Sequence, residues 1–580
     1  MERNWNYFLA IALSVAILYA WQTFYVYPRI AEINNAQKNA QEIKKSDQID
    51  TLNTAIPMDD HAQSLSRSPR IEIKNDDLVG SINLKGSQFD DLSLRNYRVN
   101  VSNDSPIVTI FSPSNTKNAY FSQLDYISKA NNVELPNENT VWSAVSEKTL
   151  TPSTPIKLSF RNAQNILFER VISLDEHYLF KIVDTITNNS NLNVVLSPYG
   201  RMVRYKLGKE TNTLGVQEGF IAILENKSLV EGKYSEIEKS SASNYHKSNS
   251  WLGISDKYWA SIFIPSKDTS FQSQFKYFPD GHARYQANFT ADEITILPGK
   301  SKVTTNFLFV GAKKLSTLHY YEKTWEIPQF EMLIDWGIFY FITKPMSMLM
   351  SYFYNLVGNF GIAIMLTTVF VKLMFFPLAK KQYVSTANMK NIQPKIDELR
   401  EKLKESPPQV LQKSILELYK ANNVNPLAGC WPILLQIPVF FAIYKVISIS
   451  LEMRHAPFLG WIQDLAAPDP TNVFTLFGVL PFHLPGFLHL GIWPIIMSLS
   501  MFIQMQLSPP PTDKGQAMVI KWMPLLLAFV LSSFPAGLII YWSWSNVISI
   551  IQQIIIMKMH GAEIGLMDRL RSIFSKSSDS

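Results

Sequence analysis

One lysine stands where a lysine is costly to place. Lys372 lies in the run FGIAIMLTTVFVKLMFFPLAKK (360–381), and no charged residue occurs between Pro345 and Val371. The next basic residue is Lys380. If the run is one straight helix, a rise of 1.5 Å per residue puts Lys372 roughly 12 Å in from that end. An ammonium at such depth in hydrocarbon costs on the order of 2.5–3.5 kcal/mol. A chain tolerates it where the charge faces a wet cavity, or where the stem, about 6 Å long, snorkels back to the headgroups. This stretch alone does not separate the two uses.

Other polar side chains sit in apolar runs near the C-terminal end. They include Thr367 and Thr368 one turn before the lysine, Gln436, Gln504, Gln506, Ser543, Ser545, Asn546, Gln552 and Gln553. Hydrogen bonding between helices explains any one of them. Together with Lys372 they favour a hydrophilic pocket, because polar side chains within a span turn toward neighbouring helices or a cavity. No obvious carboxylate shares these runs, which argues against a proton relay and for a positive pocket that receives an anionic visitor. Elsewhere Asp175, Glu176, His177, His246 and His282 show no spacing that chemistry would need, and no CxxC, HExxH, P-loop or GxSxG pattern occurs. The single cysteine, Cys430, rules out an internal disulfide, and the net charge of +6 comes without a long basic run that would suggest nucleic acid.

The elements that position these groups follow from hydropathy. Asn4–Pro28 is uncharged between Arg3 and Arg29, with aromatics at both ends and no small-residue cleavage site, and reads as an uncleaved anchor. Residues 29–69 are a polar linker. From 70 to 315 short runs such as IEIK, SINLK, IKLSF and YLFKIVDTIT alternate with period two between Asn, Ser, Pro and Gly, which predicts a large antiparallel β-sandwich. Residues 316–358, aromatic on one side and carrying Glu331, Asp335 and Lys344 on the other, suit an interfacial helical segment. An early start of the next span, broken at Pro345, is the alternative.

The membrane core is expected over 359–558, with spans at about Phe360–Ala379, Pro426–Ile449, Leu490–Leu507, Trp522–Phe534 and Gly537–Met557. Lys380–Asn425 holds nine Lys/Arg, the loop Ser450–Leu488 only Arg454, and the stretch after Met557 four. By the positive-inside bias both termini and the basic loop are cytoplasmic and the β-domain is outside. The loop 380–425 is itself a helical hairpin. Met389, Ile392, Ile396, Leu399 and Leu403 form one seam and Leu411, Ile415 and Leu418 the other, around Ser406-Pro407-Pro408. Its basic side chains, among them Lys390, Lys395, Arg400 and Lys402, are solvated, and they also suit anionic lipid or a docking partner. The last stretch, 559–580, is a cytoplasmic tail. The fold class is thus an α-helical polytopic membrane protein with six spans, joined to a large outer antiparallel β-sandwich.

Four stretches carry a resemblance. NPLAGCWPILLQIPVFFAIYKVI (Asn425–Ile447), FPLAKKQYVSTANMKNIQPKI (Phe376–Ile396), APFLGWIQDLAAPDP (Ala456–Pro470) and FPAGLIIYWSWSNVISIIQQ (Phe534–Gln553) resemble the YidC/Oxa/Alb membrane-protein insertase family in order, spacing and topology. The anchor and large outer domain resemble its Gram-negative form. The resemblance implies a five-helix insertase core, a periplasmic β-domain and residence in the bacterial inner membrane. It also implies a non-enzymatic insertase and chaperone, without a cofactor, that inserts, folds and helps assemble inner-membrane proteins. It would act alone or with the Sec translocon (SecYEG, SecDF), on nascent membrane proteins and beside a ribosome docked on the hairpin and tail. A positive, hydrophilic groove would contain Lys372, Thr368, Gln436, Ser543, Trp542 and Asn546. The substrate helix would slide along Ile437, Phe440 and Val530. Two departures stand out. The family usually has Arg where this chain has Lys372, which keeps the charge and loses the bidentate fork. The aromatic, Pro-rich insert Thr475–Trp493 lengthens the outer loop. A polytopic solute transporter or channel is the alternative, and it would predict inverted repeats. An enzyme working through the β-domain is a third reading, without a catalytic constellation to support it.

Overall fold

The computed structural model describes residues 59–128, 133–145, 148–206, 218–223, 228–240, 242–248, 250–267, 269–279, 282–404, 406–422, 431–478, 489–508 and 514–561. The expected anchor, most of the linker, Cys430, residues 479–488 of the insert and the tail beyond 561 lie outside the described residues, as do the side chains of His246 and of 431–435. The chain divides into two compact units between Asp335 and Trp336.

The first unit is built from two twisted sheets, of eleven and nine strands among the described residues. Period-two sequence produces it directly. The strand Ile166–Leu174 alternates buried and half-buried residues along its whole length, and Leu179–Asn188 pairs antiparallel with it on one side and with Ser301–Ala312 on the other. Antiparallel pairing prevails, with one short parallel pair between Arg70–Lys74 and Thr149–Leu150. Phe89 of one sheet meets Phe180 of the other edge-on at 5.1 Å. Alternation also turns a charge inward. Arg170 is 1 % exposed, stands opposite Asp184 in register, and makes two 2.8 Å hydrogen bonds to its carboxylate.

This unit extends past 315. The helix Leu315–Thr324 and the 3₁₀ turn Phe330–Leu333 pack on the sandwich. Tyr321 donates to Asp175 Oδ2 at 2.7 Å and accepts from the Tyr178 amide, and Trp251 Nε1 donates to the Pro328 carbonyl. The segment read as one interfacial stretch is therefore divided: residues up to Asp335 seal the β unit, and the remainder begins the helical one.

In the second unit α1 (Tyr340–Val357) runs unbroken through Pro345 and stops at Gly358, whose φ of +69° supplies a left-handed cap. Asn359 then caps α2 (Phe360–Met374), accepting from the Ile362 amide at 3.1 Å. α2 is followed at once by α3 (Phe376–Asn391), bent 70° from it. This differs from the single straight span expected over 360–379. Pro377 lacks an N–H and its ring crowds the carbonyl four residues back, so α2 stops at Met374 and Pro377 sits in the first turn of a new helix while hydropathy runs on.

α4 (Gln393–Lys402) and α5 (Pro408–Ala421) follow, packing through Ile392, Ile396 and Ile415 with Leu411 and Leu418 beside them. Pro394 separates α3 from α4, so the first expected seam spans two helices. The remaining helices are α6 (Trp431–Ile449), α7 (Ile492–Gln506), α8 (Lys514–Leu531) and α9 (Ala536–Met559). Ser532–Pro535 turns the chain between α8 and α9, slightly ahead of the Phe534–Gly537 turn expected. A common core joins α1, α2, α6 and α9 through Met350, Ile364, Ile443, Ile447 and Leu538. Among the described residues α9 alone is long and apolar enough to cross a bilayer by itself, and α2 with α3 does so only as one bent span. The apolar parts of α6, α7 and α8 are shorter.

Candidate functional site

Lys372 occupies the last turn of α2. The bend places it two residues, roughly 3 Å of rise, from the end of its helix instead of deep within a longer one. That end carries the unpaired carbonyls and negative pole of α2, which favour a cation. Leu373 and Met374 beside it are 63 % and 57 % exposed, as lipid-facing side chains would be. The lysine itself turns inward: its Nζ donates to Ser549 Oγ of α9 at 2.9 Å, and Ser549 is buried. This geometry is not that of a snorkelling side chain.

Around the lysine, four helices enclose a cavity of about 60 Å³. By the measure on which one water needs roughly 10–15 Å³, it holds several. α2 contributes Val371 and Lys372, α3 Gln382 and Tyr383, α6 Gln436 and Val439, and α9 Gln552, with Phe375, Leu378 and Ala379 completing the wall. Gln436 Nε2 donates to the buried Tyr541 hydroxyl at 2.7 Å. Gln552 Oε1 is buried without a hydrogen-bond partner.

Of the expected groove residues, Lys372 and Gln436 line this cavity. Thr368 and Ser543 donate to the carbonyls one turn earlier in their own helices, Ile364 and Ile539, at 2.7 and 2.8 Å. Asn546 Nδ2 donates to Ser500 Oγ at 3.0 Å and ties α9 to α7. Trp542 meets Phe440 edge-on at 4.9 Å, within the common core. Ile437 and Val530 are 44 % and 53 % exposed, whereas Phe440 is half-buried. In the basic segment Arg400 pairs with Asp397 and Lys402 with Glu398, at 3.3 and 2.6 Å on the surface, while Lys395 is exposed and Lys390 half-buried.

The lysine's direct partner, Ser549, was not among the expected site residues. Its signal was available, since Ser545, Ser549 and Gln552 recur at spacings of four and three and so share one face of α9. In the β unit the candidate groups stay apart. His177 Nδ1 lies 2.8 Å from Asp77 Oδ2, Asp175 holds a turn and Tyr321, and His282 stacks on Tyr205. Among the described residues no cluster of His, Cys, Asp and Glu could hold a metal ion.

The helical unit thus holds a lysine turned into a small cavity with polar groups in its wall, and a large β-sandwich precedes it in the chain. Residues 352–563 match the family of the 60Kd inner membrane protein, and residues 70–349 match the YidC periplasmic domain. Curated relatives are similar end to end. The membrane protein insertase YidC of Sinorhizobium medicae is 48 % identical over 591 residues, covering 99 % of both chains, and that of Rhizobium meliloti 48 % over 589 with the same coverage. The Brucella melitensis protein of that name is 44 % identical over 606 residues, again 99 % of each. Among solved structures, an active YidC insertase with its first transmembrane domain resolved is similar over 83 % of this chain and 92 % of its own, at 16 % identity and a TM-score of 0.35. The chain belongs to the YidC family.

Proposed function

We propose that this chain inserts integral proteins into the bacterial inner membrane, the activity for which its full-length relatives are named. The observation that carries the mechanism is an ammonium held by one neutral hydroxyl in a cavity large enough for water. Because Ser549 is uncharged, an anionic group of a nascent protein gains a charge-assisted bond when it displaces that hydroxyl. Low-dielectric walls strengthen the attraction, and the cavity water shortens the dry path of a polar segment.

The work comes from the substrate's own apolar helix. On insertion scales a Leu-rich helix of about 20 residues gains roughly 6–12 kcal/mol, and each acidic residue at the bilayer centre costs roughly 2.5–3.5 kcal/mol. The helix alone thus offsets roughly two to four carboxylates. An inside-negative potential adds about 2.3 kcal/mol per charge per 100 mV for an acidic tail moving outward. Exposed Ile437 and Val530, with Phe440 beside Trp542, suit a surface along which that helix leaves for lipid.

The remaining assignments belong to the same proposal. Six spans put both termini and the α4–α5 hairpin in the cytoplasm and the β unit in the periplasm, around a five-helix core. The hairpin's basic residues meet anionic lipid and the ribosome, and the protein works alone or beside the Sec translocon. The test is charge reversal. Lys372→Glu should lower insertion of acidic-tailed substrates in a depleted strain by more than tenfold, while Lys372→Arg retains most activity. Equal activity of the two variants would sink the electrostatic mechanism.

A further inference from the structure

Lys372 explains how the cavity greets a negative charge and leaves its other polar wall without a use. An ammonium has three N–H donors and no acceptor. Ser549 receives one of those donors. In the lining of the same cavity Gln552 presents the opposite chemistry, a side-chain carbonyl that is buried and accepts from no protein group. With no protein donor of its own, this oxygen is open to a donor from cavity water or from a bound chain. Gln436, the other amide for which a bond is described, is engaged through Nε2 by Tyr541.

A carboxylate fits only half of this arrangement. It satisfies the lysine, but it brings no donor to Gln552 Oε1 and sets two acceptors against each other. A peptide unit fits both halves, since its carbonyl accepts from Lys372 and its N–H donates to Gln552. An unfolded polar segment entering an apolar environment carries one such pair per residue, and every unpaired member costs several kcal/mol. We infer that Gln552 is a specificity-determining residue that accepts main-chain N–H groups of the substrate's polar segment, so that the cavity reads peptide backbone as well as side-chain charge. This rests on the insertase reading and extends it to neutral polar segments, which the lysine's charge alone would not select.

The experiment uses the full chain in proteoliposomes and two neutral substrate tails of equal length. One is built of Gly and Ser, and in the other alternate residues are Pro, which lacks the N–H. The wild type should insert the Gly/Ser tail about three- to tenfold better, the effect of one to two hydrogen bonds. In Gln552→Leu and Gln552→Met that preference should fall to about one. Because the readout is a ratio between two substrates within one variant, loss of folded protein cancels. A preference equal to wild type in both variants overturns the inference, as does a wild type that shows none. The insertase reading is judged separately, by Lys372→Glu against wild type on acidic tails, while the backbone inference is judged only by the neutral-tail ratio with Lys372 in place.

Discussion

Replacing Asp125 by asparagine should stabilise the β unit at about pH 8 and leave it nearly unchanged at about pH 4.5. Asp125 lies in the strand Tyr120–Ile127, opposite Tyr199. Its Oδ1 is buried without a hydrogen-bond partner. Burial pushes its carboxyl from 3.8 up to about 7, against the pull of Arg170 and Arg201 and with the help of Glu138 and Asp184. A group that binds its proton more tightly when folded contributes stability at low pH and loses it as pH rises through the folded value. The loss therefore falls between about pH 4 and pH 7 and is flat above. At 1.36 kcal/mol for each tenfold change in proton affinity, 3.8 to about 7 gives at most about 4 kcal/mol. The side chain as a whole is only half-buried, and solvent screening reduces the figure to about 1–2 kcal/mol. Urea unfolding of residues 59–335, followed by tryptophan fluorescence across this pH range, measures the gap between Asp125→Asn and wild type. The reasoning fails if the gap does not change with pH, or if asparagine is the less stable residue at pH 8.

Two further substitutions probe the helical unit. A Cβ built on Gly361 would stand 2.0 Å from the Phe458 ring, so Gly361→Ala should cost about 1–3 kcal/mol. In detergent its unfolding temperature should drop, and the added change Phe458→Leu should restore part of the loss. Asp469 is 1 % exposed and accepts from Trp461 Nε1, from the amide and hydroxyl of Thr471, and from the Trp493 amide at the start of α7. Asp469→Ala strands these donors and should cost about 2–4 kcal/mol, read as faster proteolysis of the loop between α6 and α7, with Asp469→Asn intermediate.

The β unit was legible because a half-buried strand writes its two faces into alternate residues, as Ile166–Leu174 does. Its end was not. Leu315–Thr324 has a helical composition compatible with an interface, and only the Tyr321 hydroxyl on Asp175 reveals what it covers. In the helical unit the lysine's inward turn could be anticipated from its cost, whereas its partner depended on how α9 is rotated about its axis. Hydroxyls such as Thr368 and Ser543 show why composition overcounts a polar site, for a serine or threonine in a helix can satisfy itself one turn back. The 70° break was hidden because hydropathy averages across Phe376-Pro377 without registering that the helix axis has changed.

That break also acts as an insulator of rotational phase. In a continuous helix, adding one residue swings everything beyond it by about 100°. Here Lys372 takes its direction from α2, anchored at Asn359, while Lys380 and the segment beyond take theirs from α3. Length changes downstream of Phe375 can therefore re-aim α3 and the α4–α5 segment while Lys372 Nζ stays on Ser549. The segment beyond the bend is free to diverge between relatives without turning Lys372 away from its cavity.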